Sequence, residues 1–164
     1  CMEAELWVNN RSAGKKTTSE NTEGFLVWKI PYEKGEIRVV AAAVNGSCCE
    51  SSLKTTAQAS QIRLICEDDP AACNPSDLLH FVATITDSEG NTVQSAENEI
   101  HVTVEHAVLK GLESGNLEDT TPYACTSRKA CNGKLLIYVK PDHTGEAITV
   151  TAAAQGLKTA VYYM

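Results

Sequence analysis

Aromatic residues are scarce in this chain, at 5% of 164 residues, which leaves little material for a stacking platform. Basic residues are outnumbered. Fourteen Lys and Arg stand against twenty-one Asp and Glu, for a formal charge of −7. The one basic cluster, Arg11, Lys15 and Lys16, is too small to follow a phosphate backbone, so no nucleic-acid partner is expected. No apolar run approaches the ~18–20 residues of a spanning helix, and no membrane partner is expected either. No signal peptide is visible. Neither a C-x-x-C knuckle nor histidines at co-ligand spacing occur, which argues against a zinc site. A G-x-S-x-G elbow and a strand–glycine–helix phosphate loop are both missing, so no cofactor is implied. Nowhere does an i, i+3, i+4 apolar stripe run beyond a turn or two, which excludes a helical layer.

Cysteine, by contrast, is plentiful. Cys1, Cys48, Cys49, Cys66, Cys73, Cys125 and Cys131 make an odd number without a regular disulfide framework. The plain reading is reduced thiols, several of them small buried side chains. Two bridges, Cys66–Cys73 and Cys125–Cys131, are short enough in sequence to be considered. Reduced thiols favour a reducing cytoplasm, with export into an oxygen-free setting as the alternative. A start at Cys1, in what reads as the entry to a strand, suggests a piece of a longer protein.

What the sequence does have is alternation. In 78–105, Leu79, Phe81, Ala83 and Ile85 alternate with His80, Val82, Thr84 and Thr86; Ile100, Val102 and Val104 then alternate with Glu99, His101, Thr103 and Glu105. Such a period sends one set of side chains to a core and the other to water. Asp87-Ser88-Glu89-Gly90-Asn91 between them has turn chemistry, so the stretch predicts an antiparallel hairpin, with His80 and His101 facing each other across it.

Further strands are predicted at 3–9, 25–30 and 37–44, then 61–67, 134–140, 146–154 and 159–163. Residues 9–14 read as a turn and 15–23 as a loop or weak edge strand. Asn45-Gly46 is a hairpin signal, although its partner at 48–56 is poorly patterned. Ser76 or Asp77 is positioned to cap a single helical turn. The long, Gly- and Asp-rich 108–130 segment suggests a crossover between two sheets. A featureless 55–60 marks a boundary. The chain therefore reads as all-β: two consecutive immunoglobulin-like β-sandwich domains, 1–58 and 59–164. The first is a smaller version that looks short of its opening strand.

Residue chemistry alone offers no catalytic site. Glu99 follows Asn98, as the acid of many sugar-cleaving barrels follows an Asn, but here it opens an alternating strand and points outward. His143 beside Asp142 lies in a Pro/Gly turn. Among aromatics, Trp28 shares the phase of Leu26 and Ile30 and reads as core. Trp7 is on the outward phase, and Tyr32 and Tyr123 lie beside turns. These three are the candidates for a sugar or interdomain contact, with the interdomain role favoured for Trp7.

Three segments carry a resemblance. ELWVNNRSAGKK at 5–16, followed by VWKIPYEKGEIRVVA at 27–41, resembles the small sandwich domain after the catalytic barrel in bacterial glycoside hydrolases of family 2, the β-galactosidase and β-glucuronidase type. LKGLESGNLEDTTPYACTSRKACNGKLLIYV at 109–139, continuing to ITVTAAAQGL at 148–157, is similar to their C-terminal immunoglobulin-like domain. Asn10 replaces a usual Gly, and Cys131 a usual Phe. The resemblance implies a non-catalytic C-terminal region of a family 2 glycosidase, most readily a β-galactosidase. Its partners would be the catalytic barrel of the same parent chain and an oligosaccharide, and no catalytic residue carries over. A carbohydrate-binding module and the stalk of a bacterial surface adhesin are the alternatives.

Overall fold

The computed structural model describes residues 3–20, 24–43, 45–69, 78–142 and 146–164. Its regular structure is all β apart from one 3₁₀ turn at Thr18–Glu20. The described strands form three four-stranded antiparallel sheets, an arrangement consistent with β-sandwich construction. Two compact units result, Cys1–Thr55 and Thr56–Met164.

In the first unit the order is β2 (Arg11–Thr17), β1 (Glu3–Val8), β3 (Glu36–Ala42) and β4 (Cys48–Lys54). Strict alternation in β1 buries Ala4, Leu6 and Val8. The turn into β2 is only two residues long. Asn9 and Asn10 both take positive φ, 48° and 62°, as a hairpin turn with the right twist requires, and Asn tolerates that region as Gly does. Asn10 therefore serves where Gly is usual. The Asn9 side chain also fastens the entry to β3, accepting from the Glu36 N–H at 2.9 Å and donating to the Lys34 carbonyl at 3.0 Å.

Expectation fails at one place in this unit. Residues 25–30 form no ladder, although Leu26, Trp28 and Ile30 keep the alternation. The segment is held by side chains instead: Lys16 Nζ donates to the Val27 carbonyl at 2.8 Å and Trp28 Nε1 to the Gly14 carbonyl at 3.1 Å. Trp28 is accordingly half-buried rather than core. The described strands of this unit form a single sheet. β4 does pair with β3; every residue in it is exposed, which is why it carries no apolar pattern.

In the second unit, one sheet runs β5 (Gln61–Cys66), β6 (Leu79–Thr86), β10 (Lys134–Pro141), β8 (Ala107–Glu113). The other runs β12 (Ala160–Tyr163), β11 (Thr149–Ala153), β7 (Glu99–Glu105), β9 (Ser127–Lys129). Inward residues of both sheets meet in one cluster that includes Leu79, Phe81, Leu135 and Ile137 from the first and Ile100, Val102 and Val150 from the second. The Phe81 and Tyr162 rings meet edge to face at 5.3 Å. Each such fully buried side chain contributes about 1.5–3 kcal/mol relative to exposure.

The expected hairpin at 78–105 is not one. β6 and β7 lie in different sheets. After Asp87 the chain doubles back only far enough to bridge Thr86 with Thr92 and to send the Val93 N–H to the Ile85 carbonyl. Buried Val93 and Ala96 then carry it across the core. Alternation fixes which face is inward but not which sheet a strand joins. The twelve residues of 87–98 are also far more than a hairpin loop of 2–5 needs. His80 therefore stands opposite Tyr138, and His101 opposite Ala153 and Ser127, not opposite each other.

The 108–130 segment does cross between sheets, and it holds two strands, most of β8 and all of β9. Cys125 and Cys131 are free thiols. Extended β9 lies between them, and six residues at ~3.3 Å each far exceed the ~7 Å Cα limit for a bridge. Cys48 and Cys49 are free as well. The Cys66–Cys73 pairing, the Ser76 or Asp77 cap and His143 fall outside the described residues.

Candidate functional site

A polar hollow lies along β9, the edge strand that pairs Glu99 with Lys129, Ile100 with Arg128 and His101 with Ser127. Strand alternation puts Ser127 and Lys129 outward and turns Arg128 inward, where it is 5% exposed. A buried guanidinium requires partners. Arg128 lies 3.2 Å from the Asp119 carboxylate, donates to the Thr121 carbonyl, and stacks over the Tyr123 ring at 5.2 Å. Its Nε has no partner among the described residues.

These contacts clamp the loop from 114 to 125 onto the strand. Inside the loop, Asn116 Oδ1 accepts from the Glu118 N–H at 3.0 Å, and Asp119 Oδ1 from the Thr121 N–H at 2.9 Å. The Thr121 hydroxyl and N–H hold the Asp119 carboxyl below its ordinary range, with Arg128 and Lys129 adding to the effect. Between loop and strand lies a groove of about 490 Å³, within the size range of ligand sites. Its walls include Glu97, Glu99, Ser114, Asn116, Asp119 and Lys129, and Cys125 and Cys131 stand among them as well.

The groove has carboxylates but not the constellation for glycosidic cleavage, which needs one acid kept protonated by an enclosing environment. Asp119 is held ionised. Glu99 accepts from Ser127 Oγ at 2.7 Å and is exposed, as is Glu97. Among the described residues of the second unit the one buried carboxylate is Asp87, which accepts from the N–H groups of Ala57, Glu89 and Asn91. Its pKa is lowered, chiefly by the Ala57 N–H.

A second polar cluster sits on the outer face of β6 and β10. His80 N–H donates to Asp68 at 2.5 Å, the His80 ring lies 3.1 Å from the same carboxylate, and Tyr138 donates to Glu113 at 2.8 Å. Asp68 is lowered, mainly by the His80 N–H, and burial pushes the Tyr138 phenol up, with Glu113 adding to the rise. Each carboxylate is already committed to a neighbour.

Of the three candidate contact residues, two lie in the first unit and one in the second. Trp7 is half-buried, with Arg38 5.6 Å from its ring centre. Tyr32, also in the first unit, is 81% exposed. Tyr123, in the second, is 62% exposed and reaches the groove through Arg128. None of the three is a wall of the groove. Arg128 and Asp119 escaped the sequence reading, but a signal existed: Arg128 shares its phase with Ala130, so it points inward and needs an acid nearby.

Comparison with known proteins supplies a family. The domain family described as glycoside hydrolase family 2 C-terminal domain 5 matches residues 62–162, and a domain family of unknown function, DUF4982, matches residues 1–50. The β-galactosidase BoGH2A of Bacteroides ovatus is 27% identical over 161 residues, 97% of this chain and 19% of that protein. A glycosyl hydrolase family 2 member from Bacteroides cellulosilyticus superposes with a TM-score of 0.92 at 26% identity, over 100% of this chain and 23% of that one. A β-glycosidase from Bacteroides vulgatus, at 23% identity and a TM-score of 0.88 over 100% of this chain and 21% of that one, shares the fold. The chain thus spans about a fifth of the length of these relatives.

Proposed function

The chain belongs to glycoside hydrolase family 2 as its C-terminal domains, and from that membership we propose that it is the supporting region of a longer enzyme that hydrolyses O-glycosidic bonds, a β-galactosidase. In this reading the chain is a pair of immunoglobulin-like sandwiches. Residues 1–58 follow the catalytic barrel, and 59–164 close the C-terminal side. Their work is to pack against the barrel, stabilise it and shape one rim of the substrate cleft. The observation that carries the reading is the family match across 62–162, on a unit whose described carboxylates are exposed or committed to structural bonds. The substrate is taken from the name of the Bacteroides ovatus relative.

Exposed apolar surface on the first unit supports the packing role. Ile37 and Leu53 face each other across β3 and β4 at 37% and 77% exposure, and Phe25, Val27 and Tyr32 are exposed as well. Apolar surface of this kind marks a covered face in the assembled protein. Trp7 and Tyr32 are the proposed interdomain contacts. The test uses the full-length parent enzyme. Leu53→Asp and Tyr32→Ala should lower its melting temperature while leaving KM for a β-galactoside near the parent value. Unchanged melting in both variants would sink the packing role.

A further inference from the structure

We propose that the groove along β9 is a binding subsite for a short neutral glycan, an inference that rests on reading the parent as a glycosidase. Three observations converge on it. First, the groove is built rather than incidental, because buried Arg128 pins one wall to the other through Asp119 and the Thr121 carbonyl. The loop's own side chain–backbone bonds fix Asn116 and Asp119. A preorganised polar wall loses little freedom when it binds.

Second, the chemistry of the walls suits hydroxyl groups. A sugar hydroxyl both donates and accepts. Glu97, Glu99 and Asp119 supply acceptors, while Lys129 and the Asn116 amide supply donors. Glu97 and Lys129 are exposed and make no side-chain hydrogen bond among the described residues, so their capacity is open to a ligand. Three carboxylates against Arg128 and Lys129 leave the groove acidic, which favours a neutral sugar over a uronate.

Third, Arg128, one of the groove's lining residues, touches an aromatic ring that is not itself a wall. Arg128 covers part of Tyr123, and the ring is otherwise largely open to solvent, as sugar stacking requires. The walls reach from Cys125 to Cys131, seven residues that include the whole of β9, whose chain rises ~3.3 Å per residue. That length suits a chain of sugars better than a single small ion.

The test is a calorimetric titration of the 164-residue chain with lactose, cellotriose and p-nitrophenyl β-glucuronide. At least one of the two neutral sugars should bind saturably, and the glucuronide at least tenfold more weakly than that sugar. Glu97→Ala, Lys129→Ala and Tyr123→Ala should each weaken the neutral sugar at least fivefold. The first two should leave the melting temperature unchanged, because both side chains are exposed. Absence of saturable binding by both neutral sugars would overturn the proposal, and so would binding indifferent to all three substitutions. Turnover by the full-length enzyme tests the parent reading separately, since binding to this chain needs no catalysis.

Discussion

Asp87 is a carboxylate buried at a turn, and its role is local order rather than chemistry. It accepts from three backbone N–H groups, one of them on Ala57, thirty residues away. Those bonds depress its pKa, so the carboxylate contributes stability that is present above about pH 4, the ordinary unfolded value. The contribution disappears as pH falls through the lower folded value. Asp87→Asn should therefore reduce the melting temperature at pH 7 and flatten its fall below about pH 4, as read by thermal unfolding across that range. A parallel acid limb in the variant would contradict the assignment. The turn itself is visible in the sequence, but the burial is not, because Ala57 reaches Asp87 only through the tertiary fold.

Gly133 shows the same division. Asn132-Gly133 reads as a turn, and both residues do take positive φ, 50° and 70°. What no local reading reveals is the Val93 carbonyl, which would sit 2.4 Å from a Cβ at 133. Gly156 has a similar φ of 76° with open space around it. Chemical denaturation should show Gly156→Ala costing about 1 kcal/mol and Gly133→Ala clearly more, roughly 2–4 kcal/mol. Equal losses would mean that the carbonyl contact is unimportant.

Among elements, β9 and its clamped loop are the ones the alternation pattern describes least well. Three residues are too few to show a period, and the long connection before them hides β8 at its start. The pattern did locate β1, β6, β7, β10 and β11, where apolar side chains alternate over five residues or more. It could not say that β6 and β7 part company, since a core has two walls and period-two alternation serves both. Residues 25–30 mislead for a related reason: they alternate, yet Pro31 follows and the segment is tied to β2 by Lys16 and Trp28 side chains. At this scale the clamp is testable. Arg128→Ala should raise amide hydrogen exchange across 116–125 while leaving β6 and β10 protected. Exchange unchanged in the loop would show that Arg128 does not hold it.

At the scale of the molecule, the core is unevenly shared. Among the described residues, eighteen buried apolar ones belong to the second unit's cluster, against Ala4, Leu6 and Val8 in the first. A fragment of residues 56–164 should therefore unfold cooperatively by itself, whereas 1–55 alone should show no cooperative transition. The fold class and the family resemblance were legible because both spread over the whole chain, in strand spacing and in segments such as RKACNG at 128–133. The groove was not, since it is assembled from three stretches that meet only after β9 joins β7.

On the proposed reading, these 164 residues support glycoside hydrolysis without performing it. Its most direct test is incubation of the purified chain with chromogenic β-galactoside and β-glucuronide substrates. The account predicts release of chromophore no faster than in buffer. Turnover that persists through purification and is abolished by Glu97→Gln or Glu99→Gln would contradict it.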